Sequence, residues 1–249
     1  LSKAQTITKY SGSKLFRFCL ENLVIPCQYF CFYKVIEERL VLEYLSSIQN
    51  KVVVDIGCGC GELCLKLCKK GATAVVGIDL DRESLINARE LSREYSLIMA
   101  DAQTLPLKSH ISDAICSLSC LEHVNNDDKA IEEMARIVKP DGSVVLTVDS
   151  IAYNESMFRD AAKKYRVIHR YHLQQFKRQL RRQGINVKKA QYFINSRASM
   201  ILYKASLKNK WFNLIFFPFS LYAALISDTL MLGNDLGCEL AIKATVDPR

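Results

Sequence analysis

From Lys51 onward, short apolar runs alternate with longer segments whose apolar residues recur every three or four positions. "KVVVDIG" (51–57) reads as a buried strand ending in glycine, and "ELCLKLCKKG" (62–71) as a helix stopped by Gly71. "ATAVVGIDL" (72–80) is a second strand, and "DRESLINARELSREY" (81–95) a helix with Asp81 as its N-cap. "SLIMAD" (96–101) and "DAICSLS" (113–119) follow as strands three and four. "KAIEEMARIVKPDG" (129–142) is an amphipathic helix that Pro140 and Gly142 should end, and "SVVLTVDS" (143–150) is strand five. A polar helical stretch after Ser150 leads to "YHLQQFKRQLRRQG" (171–184), a helix with its own glycine stop. "INVKKAQYF" (185–193) and "GCELAIKATV" (237–246) are strands six and seven. Such alternation predicts an α/β fold: a seven-stranded, mostly parallel sheet with helices on both faces. Ligands bind such sheets at the carboxyl ends of the strands, near the switch in strand order.

Two regions depart from this rhythm. Residues 1–50 are rich in aliphatic and aromatic residues at roughly helical spacing, including Leu15, Phe18, Val35, Ile36, Leu40 and Leu45, and predict two helices forming an N-terminal cap. Residues 51–249 then form the main domain, with an insertion at about 197–235 before the last strand. That insertion contains 17 consecutive uncharged residues, Trp211 to Ser227, interrupted by Pro218. A spanning helix needs about 20 apolar residues, so an interfacial anchor, a lid over a greasy substrate or a buried helix pair fits better.

Charge sharpens the second of these. The net charge of +8 is concentrated between Arg159 and Lys210, which holds fifteen Lys and Arg against one acid, Asp160. The rest of the chain is mildly acidic. A basic segment on an acidic body suits an anionic partner, whether phospholipid headgroups, a charged substrate or nucleic acid, and also suits a solvated helix face. Ten cysteines in 249 residues are too dilute for a disulfide scaffold. No cleavable signal is visible, which reads as reduced thiols in the cytoplasm.

The stretch "VVVDIGCGCGELCLKLC" (52–68) carries the chemistry. Cys60, Cys64 and Cys68 repeat every four residues on one helix face. Neither a C-x-x-C pair nor a second ligand set accompanies them, so no metal site is expected. Gly57, Gly59 and Gly61 miss the dinucleotide fingerprint, because the third glycine comes one residue early. Asp55, at a strand end just before the glycines, would sit poorly against pyrophosphate and well against a cationic ligand. Asp79 ends the second strand, where an acid can hold ribose hydroxyls. Asp101 ends the third, where it can accept from an adenine amino group. Adenine, ribose and a positive centre together describe S-adenosyl-L-methionine.

"VVVDIGCGCGE", "VVGIDLD", "MADAQTLPL", "SDAICSLSCLEHV" and "EEMARIVKPDGSVVLTV" resemble the ordered motifs of class I S-adenosylmethionine-dependent methyltransferases, which have a Rossmann-like fold. They are most similar to the small-molecule branch that includes ubiquinone and menaquinone biosynthesis enzymes. The resemblance is close over Lys51 to Val148 and extends loosely to "HRYHLQQFKRQLRRQGINV". "KPDG" stands where the family usually has Pro-Gly-Gly. The resemblance implies that Gly57, Gly59 and Gly61 line the methionine portion, with Asp55 placing its amino group or sulfonium side. It implies ribose binding by Asp79, adenine contacts by Leu80, Asp101 and the Ala102 backbone, and an amino-group contact from the Ser117 backbone. Asp79 and Asp101 also have a simpler reading as turn residues.

Methyl transfer chiefly requires alignment, and a hydroxyl or carbon acceptor also needs a base. His123, with Glu122 beside it, follows strand four and is the candidate base; packing against the cofactor is its alternative role. His169, Tyr171 and His172 form a second cluster, suited to a substrate pocket or a helix start. The expected acceptor is a small molecule, lipid-like or aromatic, apolar or anionic, met at a membrane surface. RNA is a less favoured acceptor, because "SLSCLEH" lacks the Asn/Asp-Pro-Pro-aromatic motif of base amino methylation. A non-catalytic cofactor-binding protein is the remaining alternative.

Overall fold

A computed structural model describes residues 32–150, 163, 166–208, 219–228 and 237–247. The first of the two expected N-terminal helices and the polar stretch after Ser150 lie outside the described residues. Seven strands form one sheet: β1 Val52–Ile56, β2 Ala74–Asp79, β3 Ser96–Met99, β4 Ser112–Leu118, β5 Val138–Asp149, β6 Ile185–Phe193 and β7 Glu239–Val246. Their order is β3-β2-β1-β4-β5-β7-β6. The first five are parallel, and β7 runs antiparallel to both β5 and β6. The chain therefore leaves β1 in one direction and returns beside it with β4. This creates the crevice where α/β sheets hold ligands.

Helices α1 (Phe32–Leu45), α2 (Glu62–Lys69), α3 (Arg82–Leu91), α4 (Asp127–Ile137), α5 (Leu173–Arg182) and α6 (Arg197–Lys208) are joined by a further helix, α7, at 219–228. Alternate residues of each strand feed two separate cores. Val53, Val75, Ala114, Cys116 and Ala241 pack with α1, α2, α3, α6 and α7. Val54, Ile56, Ile78, Ile115 and Ile242 pack with α4 and α5. With both faces covered, the strands read as apolar runs rather than as alternating polar and apolar residues.

Local signals act as their chemistry requires. The Asp81 carboxylate accepts from Ser84 N–H at 2.9 Å and caps α3. Gly71, at φ 89°, closes α2 through its N–H to Cys68 C=O. One boundary differs from the sequence reading. Helix α4 ends at Ile137, and Pro140 and Gly142 lie inside β5 instead of terminating the helix. The β4–β5 register shifts between Ser112 and Ala114, and Asp141 takes φ 60°. The chain thus bulges at Lys139 to Asp141, which lets a proline sit in a strand. Val138 is fully buried, so the last apolar position of the helical pattern belongs to the strand.

Residues 197–208 and 219–228 form two helices, α6 and α7, on the α1 side. Asp228, just past the uncharged run, accepts from Ser196 N–H at 2.9 Å at the start of α6. A negative group is favourable at that end of a helix. Tyr203 of α6 meets Tyr33 of α1 edge-to-face at 4.7 Å. Among the described residues, no helix is long and apolar enough to cross a membrane.

Candidate active site

A cavity of about 270 Å³ opens at the carboxyl ends of β1, β2 and β4. Its walls include Gly57, Asp79, Leu80, Asp101, Ala102 and His123 from the sequence-based candidates. Gln103, Ser119, Cys120, Val124 and Asn125 also line it, together with Ile56, Ile78 and Ala100, and the sequence alone does not single these out. Cys120, Val124 and Asn125 are short-range neighbours of His123. Position relative to "LEH" was the available signal, since their side chains alone suggest nothing.

The glycine loop is built by close approach. Gly57, Gly59 and Gly61 all take positive φ, at 78°, 51° and 79°. A Cβ on Gly57 would fall 2.6 Å from that of Cys120, and one on Gly61 would fall 2.3 Å from the Tyr95 hydroxyl. Gly59 has open space, and its N–H donates to Asp79 Oδ2 at 2.8 Å. The other oxygen, Oδ1, accepts from Asp81 N–H at 2.9 Å. Two backbone donors thus orient the carboxylate at the cavity wall, and each oxygen keeps a lone pair for a ligand. Asp101 is held similarly: Oδ1 accepts from Gln103 N–H at 2.9 Å, and the Gln103 amide reaches both oxygens at 3.0 Å. Leu80 is 66% exposed, an apolar surface standing open beside these two acids.

Five candidates are not on the cavity wall: Gly59 and Gly61, in the loop that begins at Gly57, and three that are buried in the fold, Asp55, Ser117 and Glu122. The sequence reading set Asp55 against a cationic ligand, but its carboxylate is buried, with Cys64 Sγ at 3.4 Å and Cys116 Sγ at 3.6 Å. Burial pushes its pKa up to about 7, although the two thiols act to lower it. On β1 its side chain points into the α1–α3 core, because Ile56 occupies the opposite face. Ser117 is buried in β4 paired with Leu146 of β5, and among the described residues its hydroxyl has no hydrogen-bond partner. Glu122 turns inward from the short 3₁₀ turn Leu121–His123, while its backbone carbonyl accepts from Ile168 and His169 N–H. Burial pushes its carboxyl well above the usual range, with Asp149 adding to the effect. Glu122 is therefore not on the cavity wall beside His123.

His123 is exposed at the cavity, with Nδ1 3.4 Å from the Arg166 carbonyl oxygen. Burial, with Glu122 nearby, pushes the Cys120 thiol up to about 12, so it stays protonated and lines the wall as a small apolar group. The second cluster takes a structural part. Tyr171 is buried and donates to Asp127 at 2.9 Å, and His172 occupies the N-cap position of α5 without a side-chain bond.

Comparison with known proteins accords with this geometry. The family described as "Methyltransferase domain" matches residues 54–146. Norajmaline N-methyltransferase of Rauvolfia serpentina is 32% identical over 106 residues, covering 40% of this chain and 36% of that protein. The ubiquinone biosynthesis O-methyltransferase of Neisseria meningitidis is 31% identical over 115 residues, covering 42% and 48%. The chain thus spans less than half of these curated relatives. An S-adenosylmethionine-dependent methyltransferase from Mesorhizobium loti shares the fold, with a TM-score of 0.63 at 18% identity over 83% of this chain and 96% of that one. Residues 54–146, which carry the glycine loop and the strand-end acids Asp79 and Asp101, thus match the methyltransferase domain family, and the fold is that of the class I methyltransferases, whose cofactor is S-adenosyl-L-methionine.

Proposed function

We propose that this protein transfers a methyl group from S-adenosylmethionine to a small-molecule acceptor with an apolar portion, met at a membrane surface. The cavity carries the cofactor part of this reading. Asp79 keeps acceptor capacity for vicinal hydroxyls, Leu80 offers an apolar face to a flat base, and Asp101 with the Ala102 backbone recognises that base's polar edge. Gly57 brings backbone close where a side chain would collide with Cys120. When bound, the cofactor supplies a methyl carbon activated by a positive sulfur. The protein's own part is alignment and exclusion of water, for which Cys120 and Val124 provide apolar wall. His123, exposed at the cavity, is the candidate base for a hydroxyl or carbon acceptor.

Helix α7 supports the membrane part. Ser220, Leu221 and Ala224 are buried, while Phe219, Tyr222 and Ile226 are exposed along the other side. Ile201 of α6 is also exposed, and exposed Arg197 opens that helix. Apolar residues amid cations fit insertion into an anionic interface, where each cation adds about 1 kcal/mol. The described cysteines are free, which fits a reducing compartment such as the cytoplasm.

Calorimetry with S-adenosylhomocysteine and NAD tests the cofactor assignment; equal or tighter NAD binding overturns it. Vesicle co-sedimentation tests the surface. Salt-sensitive binding to phosphatidylglycerol vesicles, lost in Phe219→Ser/Tyr222→Ser, supports it. Absence of vesicle binding, or labelled methyl appearing in RNA, overturns it.

A further inference from the structure

Behind the cavity wall, four carboxyl groups from four separate elements converge. Glu37 comes from α1, Glu122 from the turn after β4, Asp149 from the end of β5, and Glu239 from the start of β7. Asp149 and Glu239 stand directly opposite each other in the antiparallel ladder, a position where like charges repel. Glu37 and Glu122 are 1% exposed and Glu239 is 2% exposed. Glu37 is fully engaged: Lys34 binds Oε2 at 2.7 Å, Ser119 Oγ donates to Oε1 at 2.6 Å, and Thr147 Oγ1 reaches the same oxygen. Glu239 Oε1 accepts from the Tyr203 hydroxyl at 2.8 Å. Among the described residues, Glu122 Oε2 and Glu239 Oε2 have no hydrogen-bond partner.

Two orphaned acceptor oxygens in a buried acidic cluster call for a donor that carries charge. The cations facing the cluster are Lys34, held by Glu37, and Arg170, beside Asp149, with His123 also near Asp149. Tyr203 and Tyr33 border it from α6 and α1. The cluster lies one residue behind the cofactor cavity. Ser119 both lines that cavity and bonds Glu37, and Cys120, next to it, borders Glu122.

We propose that this cluster seats the basic nitrogen of the methyl acceptor, which makes the acceptor a primary or secondary amine. This rests on the methyltransferase reading above and specifies its substrate. Glu239 holds the ammonium by charge, and Glu122 takes its proton. One N–H bond breaks, a carboxyl O–H forms, and the electron pair stays on nitrogen. The neutral nitrogen then attacks the methyl carbon. The N–C bond forms as the C–S bond breaks, and that pair goes to sulfur, leaving a neutral thioether and a methylated ammonium ion. The Glu122 proton returns to solvent, so charge balances. Burial pushes the carboxyls of Glu122, Asp149 and Glu239 upward, so they hold protons more readily than exposed carboxyls do. Seating an ammonium ion favours their ionised forms, so binding releases protons.

The test is calorimetry on protein saturated with S-adenosylhomocysteine, titrated with n-octylamine and with n-octanol at pH 7 in phosphate and in Tris. Octylamine should bind at least tenfold tighter than octanol, with a heat that depends on the buffer and reports released protons. Glu239→Gln keeps an oxygen for Tyr203 and removes the charge. It should weaken octylamine binding at least tenfold and reduce proton release, with the melting temperature and S-adenosylhomocysteine affinity reporting an intact fold. Octylamine binding no tighter than octanol, or unaffected by Glu239→Gln, overturns the proposal. Methyl transfer to catechol in preference to octylamine overturns it while leaving the methyltransferase reading intact. Failure to bind S-adenosylhomocysteine overturns both.

Discussion

The two halves of the carboxyl edge treat their acids in opposite ways. On the β1–β3 side, Asp79 and Asp101 are half-buried; Asp79 is fixed by the backbone N–H groups of Gly59 and Asp81, and Asp101 by the N–H and side-chain amide of Gln103. On the β4–β7 side, Glu122 and Glu239 are buried, each with an oxygen that has no partner among the described residues. The first half is finished before a ligand arrives, and its polar groups need only spare lone pairs. The second holds charge-bearing groups whose satisfaction must come from elsewhere. A preorganised half suits an invariant cofactor, and an unsatisfied half suits the partner that defines the reaction. Asp55 lies at the junction, set on β1 yet enclosed in the manner of the β4–β7 acids.

That junction should give the largest effect. An unfolded aspartate ionises near 4, whereas Asp55 in the fold does so at about 7 because it is buried. Below pH 4 both states are protonated and stability is full. As pH rises from 4 to 7 the unfolded chain loses its proton first, so stability falls, then levels off above 7. Asp55→Asn should remove this fall and raise stability at pH 8 by up to about 4 kcal/mol. Denaturant unfolding from pH 5 to 8 measures it. A variant whose pH profile matches the wild type would show that Asp55 is not held in that state.

The preorganised half breaks most sharply at Gly61. Its φ is 79°, and a side chain there would bring its Cβ to 2.3 Å from the Tyr95 hydroxyl. Gly61→Ala should therefore cost about 2–4 kcal/mol. Gly59→Ala, in open space at φ 51°, should cost only about 1 kcal/mol. Similar melting temperatures for the two would remove close packing as the reason for the third glycine.

Asp79→Ala acts on binding rather than on folding. Losing a charged hydrogen-bond acceptor should weaken S-adenosylhomocysteine binding by about 1.5–3 kcal/mol, a ten- to hundredfold change. Gly59 N–H also loses its partner, so part of the loss comes from a loosened loop. An unaltered dissociation constant in a folded variant would remove Asp79 from the cofactor site.

The smallest effect belongs to Asp81, which only caps α3. Asp81→Ala should lower stability by about 1 kcal/mol and leave cofactor affinity nearly unchanged. A large loss of affinity would mean that the cap, and not Asp79 alone, shapes that side of the cavity.

The sequence by itself determined the seven strands, the glycine loop and the strand-end acids Asp79 and Asp101. Those features are local: apolar runs, turn residues and caps act over a few positions, so their signals lie next to each other in the chain. The end of α4 misled because Val138 fits the helical period, and only pairing with Ser112 shows that the strand has already begun. Tertiary structure alone decided the fate of Asp55, which depends on which face of β1 meets Cys64 and Cys116. It alone gathered Glu37, Glu122, Asp149 and Glu239, acids spread across some two hundred residues. Each is ordinary in its own segment. Burial and mutual repulsion arise only when the strand order brings β4, β5 and β7 together beneath α1, and no local pattern records that meeting.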